Sequence, residues 1–73
     1  MQTHERLKTI LDEIVETNQD KTEIFYSSKA LTNNIVPLKS RIKTVNRYLS
    51  STNANYKLIP HDETKVIITK NIH

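Results

Sequence analysis

Leu7, Ile10, Leu11, Ile14 and Val15 recur at i, i+3, i+4, i+7 and i+8, the stripe that one face of an α-helix buries. Glu5, Lys8, Asp12, Glu13 and Glu16 take the other side, so the spacing predicts a first helix over 3–17. A polar connection follows, and then Ile24-Phe25-Tyr26, a β-favouring run long enough for a brief strand. Ser27 and Ser28 are natural N-caps for a short second helix over 28–33 that turns Ala30 and Leu31 inward and ends at Asn33-Asn34. Pro37 carries the φ angle suited to a first helical turn, which predicts a third helix over 37–51. Its apolar residues Leu38, Ile42, Val45 and Leu49 fall within one narrow sector of a helical wheel. Beyond Asn53 the period changes to two. Residues 56–60 and 65–70 read as strands joined by His61-Asp62-Glu63-Thr64, with Pro60 at a strand end.

A chain of 73 residues supports one domain, spanning 1–73, with a small core, since a chain of this size buries only about 60% of its unfolded surface. There is no cysteine and therefore no disulfide or thiolate metal site. No apolar run approaches the ~18 residues that span a membrane, and no basic-then-apolar leader opens the chain, so a cytoplasmic protein without membrane contact is expected. Glycine is absent too, which disfavours phosphate-cradling loops and dinucleotide fingerprints. Turns must then use Asn, and Asn33-Asn34, Asn53 and Asn55 stand where turns are needed.

Charge is distributed unevenly along the chain. Residues 24–61 hold Lys29, Lys39, Arg41, Lys43, Arg47 and Lys57 and no acid, whereas residues 1–23 hold three cations against six acids. The net +3 is thus +6 in the middle, −3 at the start and zero at the end. Such a block concentrates positive potential where a polyanion docks, although the Ile/Asn/Lys/Thr-rich composition is also what an AT-rich coding sequence produces. The outward face of the third helix carries Lys39, Ser40, Lys43, Thr44, Arg47 and Ser50, with Arg41 on its flank. Long cations neutralise phosphate, and short hydroxyls permit close approach. Near the strands, Tyr56 and Lys57 pair a stacking ring with a cation, a combination suited to an unpaired base and its phosphate. The isolated His4, His61 and His73 form no metal-ligand spacing, and no nucleophile has an acid or base partner, so neither a cofactor nor an enzyme is expected.

The order helix, short strand, helix, helix, strand, strand resembles the winged helix-turn-helix family. The resemblance implies an α+β domain of three helices and a small antiparallel sheet, in which 24–26 pairs with the C-terminal hairpin. Residues 28–33 and 37–51 would form the helix-turn-helix, and the hairpin tip would be the wing. It also implies DNA, in preference to RNA, as the ligand of Lys29, Lys39, Ser40, Arg41, Lys43, Thr44, Arg47, Tyr56 and Lys57. Size, composition and element order are similar to the small winged-helix proteins that accompany the primase-like polymerases of staphylococcal cassette-chromosome mobile elements. From that likeness comes an accessory replication role: single-strand or fork binding, with Asp12, Glu13 and Glu16 docking on a polymerase or primase. A duplex-binding transcriptional regulator or excisionase-like factor, acting as a homodimer, is the second expectation. A pure protein-interaction module is the third; its apolar patch would draw on Ile35, Val36, Ile67 and Ile72, which the periodicity does not place in the core.

Overall fold

A computed structural model describes residues 3–32 and 36–70. They form an α+β unit of two α-helices and one three-stranded antiparallel sheet. Helix α1 spans His4–Thr17 and α2 spans Leu38–Ser51. Strands β1 (Glu23–Ser27), β2 (Tyr56–Pro60) and β3 (Lys65–Lys70) lie in the order β1-β3-β2, so both edge strands pair with the last strand of the chain.

Both helices follow from their stripes and caps. Thr3 caps α1, its Oγ1 accepting from the Arg6 N–H at 3.2 Å, and Leu7, Leu11 and Val15 point into the core. In α2, Pro37 stands one position before the first helical residue, at the N-cap, and Ile42, Val45 and Leu49 are buried. The end of α2 shows how a chain without glycine closes a helix. Asn53 adopts φ 61°, its N–H reaches the Ser50 carbonyl, and the Ala54 N–H reaches the Leu49 carbonyl at 2.9 Å. Those bonds make a Schellman cap with Asn at the left-handed position. The turn predicted at Asn33-Asn34 lies outside the described residues.

The second helix does not form as the sequence suggested. Residues Ser28–Ala30 make a single 3-10 turn, and the structure has two α-helices among its described residues. The reason is long-range. The Ser28 N–H continues the β1–β3 ladder to the Thr64 carbonyl, and its hydroxyl donates to the Glu63 carbonyl at 2.7 Å. Ser28 is thus the first residue of the turn, tied to the hairpin, and Ser27 at the N-cap makes no side-chain capping bond. The turn still delivers Leu31 to the core, where it is fully buried.

Register places Ile24, Ile68 and Leu58 side by side on the inner face of the sheet, against both helices. Each fully buried Leu or Ile contributes about 1.5–3 kcal/mol relative to exposure. The same alternation turns Phe25, Ile67 and Ile59 together onto the outer face, so Ile67 is part of a surface row and not of the core. The ends of the hairpin are held by polar contacts. Asp62 Oδ1 accepts from the N–H groups of Thr64 and Lys65, both at 2.8 Å, closing the β2–β3 turn. At the other end, Lys70 Nζ donates to the Asn18 carbonyl just beyond α1, at 2.6 Å.

Candidate nucleic-acid interface

Helical spacing sets Lys39, Lys43 and Arg47 in one row along α2, and all three are exposed, as are Ser40, Thr44 and Ser50. The Thr44 hydroxyl turns back to the Ser40 carbonyl at 2.9 Å, a local bond within α2. Strand β2 runs beside α2, and Lys57, exposed on that strand, lines the same groove as Lys39 and Lys43. Between them is an open groove of about 340 Å³ floored by Ile42, Leu58, Ile59 and Pro60. A second groove of about 500 Å³ continues from the shared residues Asn46 and Lys57 to Ser50, Asn53 and Asn55. Among the described residues, no Asp or Glu lines either groove.

The seam is fixed by a residue that sequence reasoning did not single out. The Asn46 side chain makes two bonds to Leu58: its Nδ2 donates to the Leu58 carbonyl and its Oδ1 accepts the Leu58 N–H, both at 2.8 Å. An amide here mimics a neighbouring strand and locks β2 against α2. Nothing in a helical wheel distinguishes that Asn from an ordinary surface residue.

Two residues assigned to nucleic-acid contact lie elsewhere. Arg41 is 4% exposed and its Nε donates to the Leu31 carbonyl at 2.7 Å, tying α2 to the segment after the 3-10 turn. Desolvation lowers its pKa from the ordinary guanidinium range, yet a guanidinium stays protonated at neutral pH. Arg41 is therefore a core residue and not a flank of the surface. Tyr56 is 3% exposed, so no base can stack on it. Its hydroxyl donates to the Asp12 carboxylate on α1, and desolvation together with that carboxylate raises its pKa well above 10. Lys29 is exposed on the 3-10 turn, outside both grooves.

On α1, the acidic trio divides. Desolvation would raise the Asp12 carboxyl, but hydrogen bonds from Lys8 (2.8 Å) and Tyr56 outweigh it and hold the group below its ordinary range. Asp12 is thus engaged inside the molecule, while Glu13 and Glu16 remain exposed. His4 stacks on Tyr48 of α2 at 5.7 Å between ring centroids, and His61 packs edge-on to Phe25 at 5.0 Å. Among the described residues there is no group of three His, Cys, Asp or Glu able to hold a metal ion, and no helix is long and apolar enough to cross a membrane. No protein-family model, curated protein or solved structure matches the chain.

Proposed function

We propose that the chain is a small, non-catalytic DNA-binding protein that uses α2 as its recognition helix and the α2–β2 seam as a phosphate-binding margin. The observation that carries this reading is the row of exposed Lys39, Lys43 and Arg47 on α2, with Lys57 lining the same groove as the two lysines. Among the described residues, acids meet this surface only at its Lys39 end, through Asp62 and Glu63. Exposed cations spaced along α2 and β2 suit the spaced charges of a nucleic-acid backbone, and the amides of Asn53 and Asn55 supply groups that hydrogen-bond to sugar and base edges. A winged helix-turn-helix arrangement accords with the pairing of β1 to the hairpin, with the 3-10 turn standing in for the first helix of the pair. The hairpin tip carries Asp62 and Glu63, so the helix, not a deeply inserted wing, is the main contact. An NMR titration with a short DNA duplex tests the surface: shifts confined to α2, Lys57 and the Asn53–Asn55 stretch support it. Shifts centred on α1 or β1 would overturn it.

An accessory replication role, with a single strand or fork as ligand, uses the same surface and leaves Glu13 and Glu16 available to a protein partner. Charge reversal of both glutamates that left capture of a polymerase or primase unchanged would remove that docking role.

A further inference from the structure

The two edges of the sheet are finished differently. In an antiparallel ladder, successive residues direct their N–H and C=O groups alternately to one neighbour and then away from it. On β2 the outward-directed residues are Tyr56, Leu58 and Pro60. Asn46 occupies both groups of Leu58, and Pro60 has no N–H to offer, so this edge is closed to another strand. On β1 the bonds from Lys70 N–H to the Thr22 carbonyl and from Ser28 N–H to the Thr64 carbonyl fix the phase. Even-numbered residues of β1 therefore bond to β3, and Glu23, Phe25 and Ser27 direct their backbone groups away from it. Among the described residues, no hydrogen bond from another element reaches the Glu23 or Phe25 backbone or the Ser27 N–H. Beside this open edge lies Phe25, 58% exposed, the most exposed large apolar side chain of the described residues.

We propose that β1 is a self-association edge, and that two copies of this chain pair antiparallel through it about a two-fold axis at Phe25. The phase of the ladder permits that pairing. Phe25 meets Phe25 of the other copy as a hydrogen-bonded pair, and each Ser27 N–H meets the other copy's Glu23 carbonyl, giving about four new backbone bonds. A register shifted by one residue would bring inward-bonded residues to the interface and is excluded. The outer faces then join into one sheet whose central row runs Ile59, Ile67, Phe25 and on through the second copy in reverse. Aromatic cross-strand pairs of this kind stabilise sheets.

Charge favours a second copy as the occupant. Lys65 is the β3 neighbour of Ser27, and its Nζ already lies over the Phe25 ring, 5.6 Å from the centroid. In the paired sheet the other copy's Glu23 flanks the same Ser27 from the opposite side, about 9–10 Å from Lys65 between Cα atoms. Two long side chains meet across a serine at that distance. The two-fold axis makes this contact twice. Lys57, the other cation on the outer face, lies in the Glu23–Thr69 row on the far strand and opposes nothing at the junction.

Sedimentation equilibrium of the full chain, from about 1 μM to about 500 μM, tests the proposal. The wild type is expected to move from the 8.5 kDa monomer toward twice that mass. Phe25→Lys, which leaves the β1–β3 bonds intact and sets two cations on the axis, should sediment as monomer throughout. Its circular dichroism and melting curve verify that it folds. Glu23→Lys should raise the midpoint concentration about tenfold, and the double exchange Glu23→Lys with Lys65→Glu should return it toward the wild-type value. A wild type that stays at the monomer mass up to the highest concentration overturns the proposal, and that is also the outcome if the edge serves an extended peptide of another protein. A dimer indifferent to Phe25→Lys, or an exchange that fails to restore association, overturns it equally.

Discussion

Replacing Arg41 by Ala separates the two roles that a cation on α2 can have. The guanidinium is almost wholly buried, and its Nε bonds a carbonyl of fully buried Leu31. Losing a charge-assisted bond of this kind costs about 1.5–3 kcal/mol, because the carbonyl is left desolvated. Removing the packed aliphatic stem adds about 1–2 kcal/mol. The sum, about 2.5–5 kcal/mol, is a large share of the roughly 4–11 kcal/mol that a chain of this length holds in total. At about 4–8 °C per kcal/mol for a domain of this size, Tm should fall by at least about 10 °C. Lys43→Ala, two residues further along α2 but exposed, should change stability by no more than about 0.5 kcal/mol while weakening DNA binding. Arg41→Lys keeps the charge and loses the planar donor, so it should melt between wild type and Arg41→Ala. The assay is thermal and urea denaturation by circular dichroism, with DNA affinity measured well below every Tm. An Arg41→Ala protein that melts within about 2 °C of wild type yet binds DNA as poorly as Lys43→Ala would refute the assignment of Arg41 to the core.

Three further outcomes follow from the same geometry. Tyr56→Phe removes the bond to Asp12 and should cost about 1–2 kcal/mol in urea denaturation, with affinity for single-stranded DNA unchanged because the ring never reaches solvent. Stability should be flat across neutral pH and decline on both sides. Asp12 has a lowered folded pKa, so its contribution is complete above the ordinary 3.8 and is lost as pH falls through the folded value. Tyr56 and Tyr26 have raised ones, so theirs is complete below 10.0 and lost as pH rises beyond it. Tyr56→Phe should shallow the alkaline decline and leave the part due to Tyr26. Asn46→Asp keeps an acceptor for the Leu58 N–H but sets a carboxylate against the Leu58 carbonyl, a loss of about 1–3 kcal/mol. Hydrogen exchange at the Leu58 amide should then accelerate at least about tenfold.

Residues with a local signature were legible in the sequence, and residues defined by distant partners were not. The stripes of α1 and α2 and the period-two runs of β2 and β3 gave those elements to within a residue or two, since burial of one face is a local demand. Asn53 was legible as a turn residue because few side chains other than Gly tolerate its φ. The expected helix after β1 is a single 3-10 turn, and the bonds that hold Ser28 in it go to Glu63 and Thr64, far along the chain. Arg41 and Tyr56 were misplaced for a different reason, as polar character was weighed above phase. Arg41 stands three residues after Leu38 and four before Val45, on the margin of the apolar stripe, and Tyr56 shares the parity of buried Leu58. Phase alone would have turned both inward and turned Phe25 outward. Charge alone marks Lys39, Lys43, Arg47 and Lys57, but the convergence of Lys39, Lys43 and Lys57 on one groove depends on Asn46 holding β2 to α2.

Binding to duplex, single-stranded and forked DNA, measured across a range of salt concentrations, decides whether α2 carries a nucleic-acid surface. With four cations at the interface, the logarithm of the duplex affinity should fall with the logarithm of salt at a slope of about −3 to −4, and Lys39→Ala with Lys43→Ala should shallow it by about 2. Comparison of the three substrates then assigns the regulator or the replication role. Affinity that is absent at low salt for all three, or a slope that the paired substitution leaves unchanged, would contradict a nucleic-acid surface on α2.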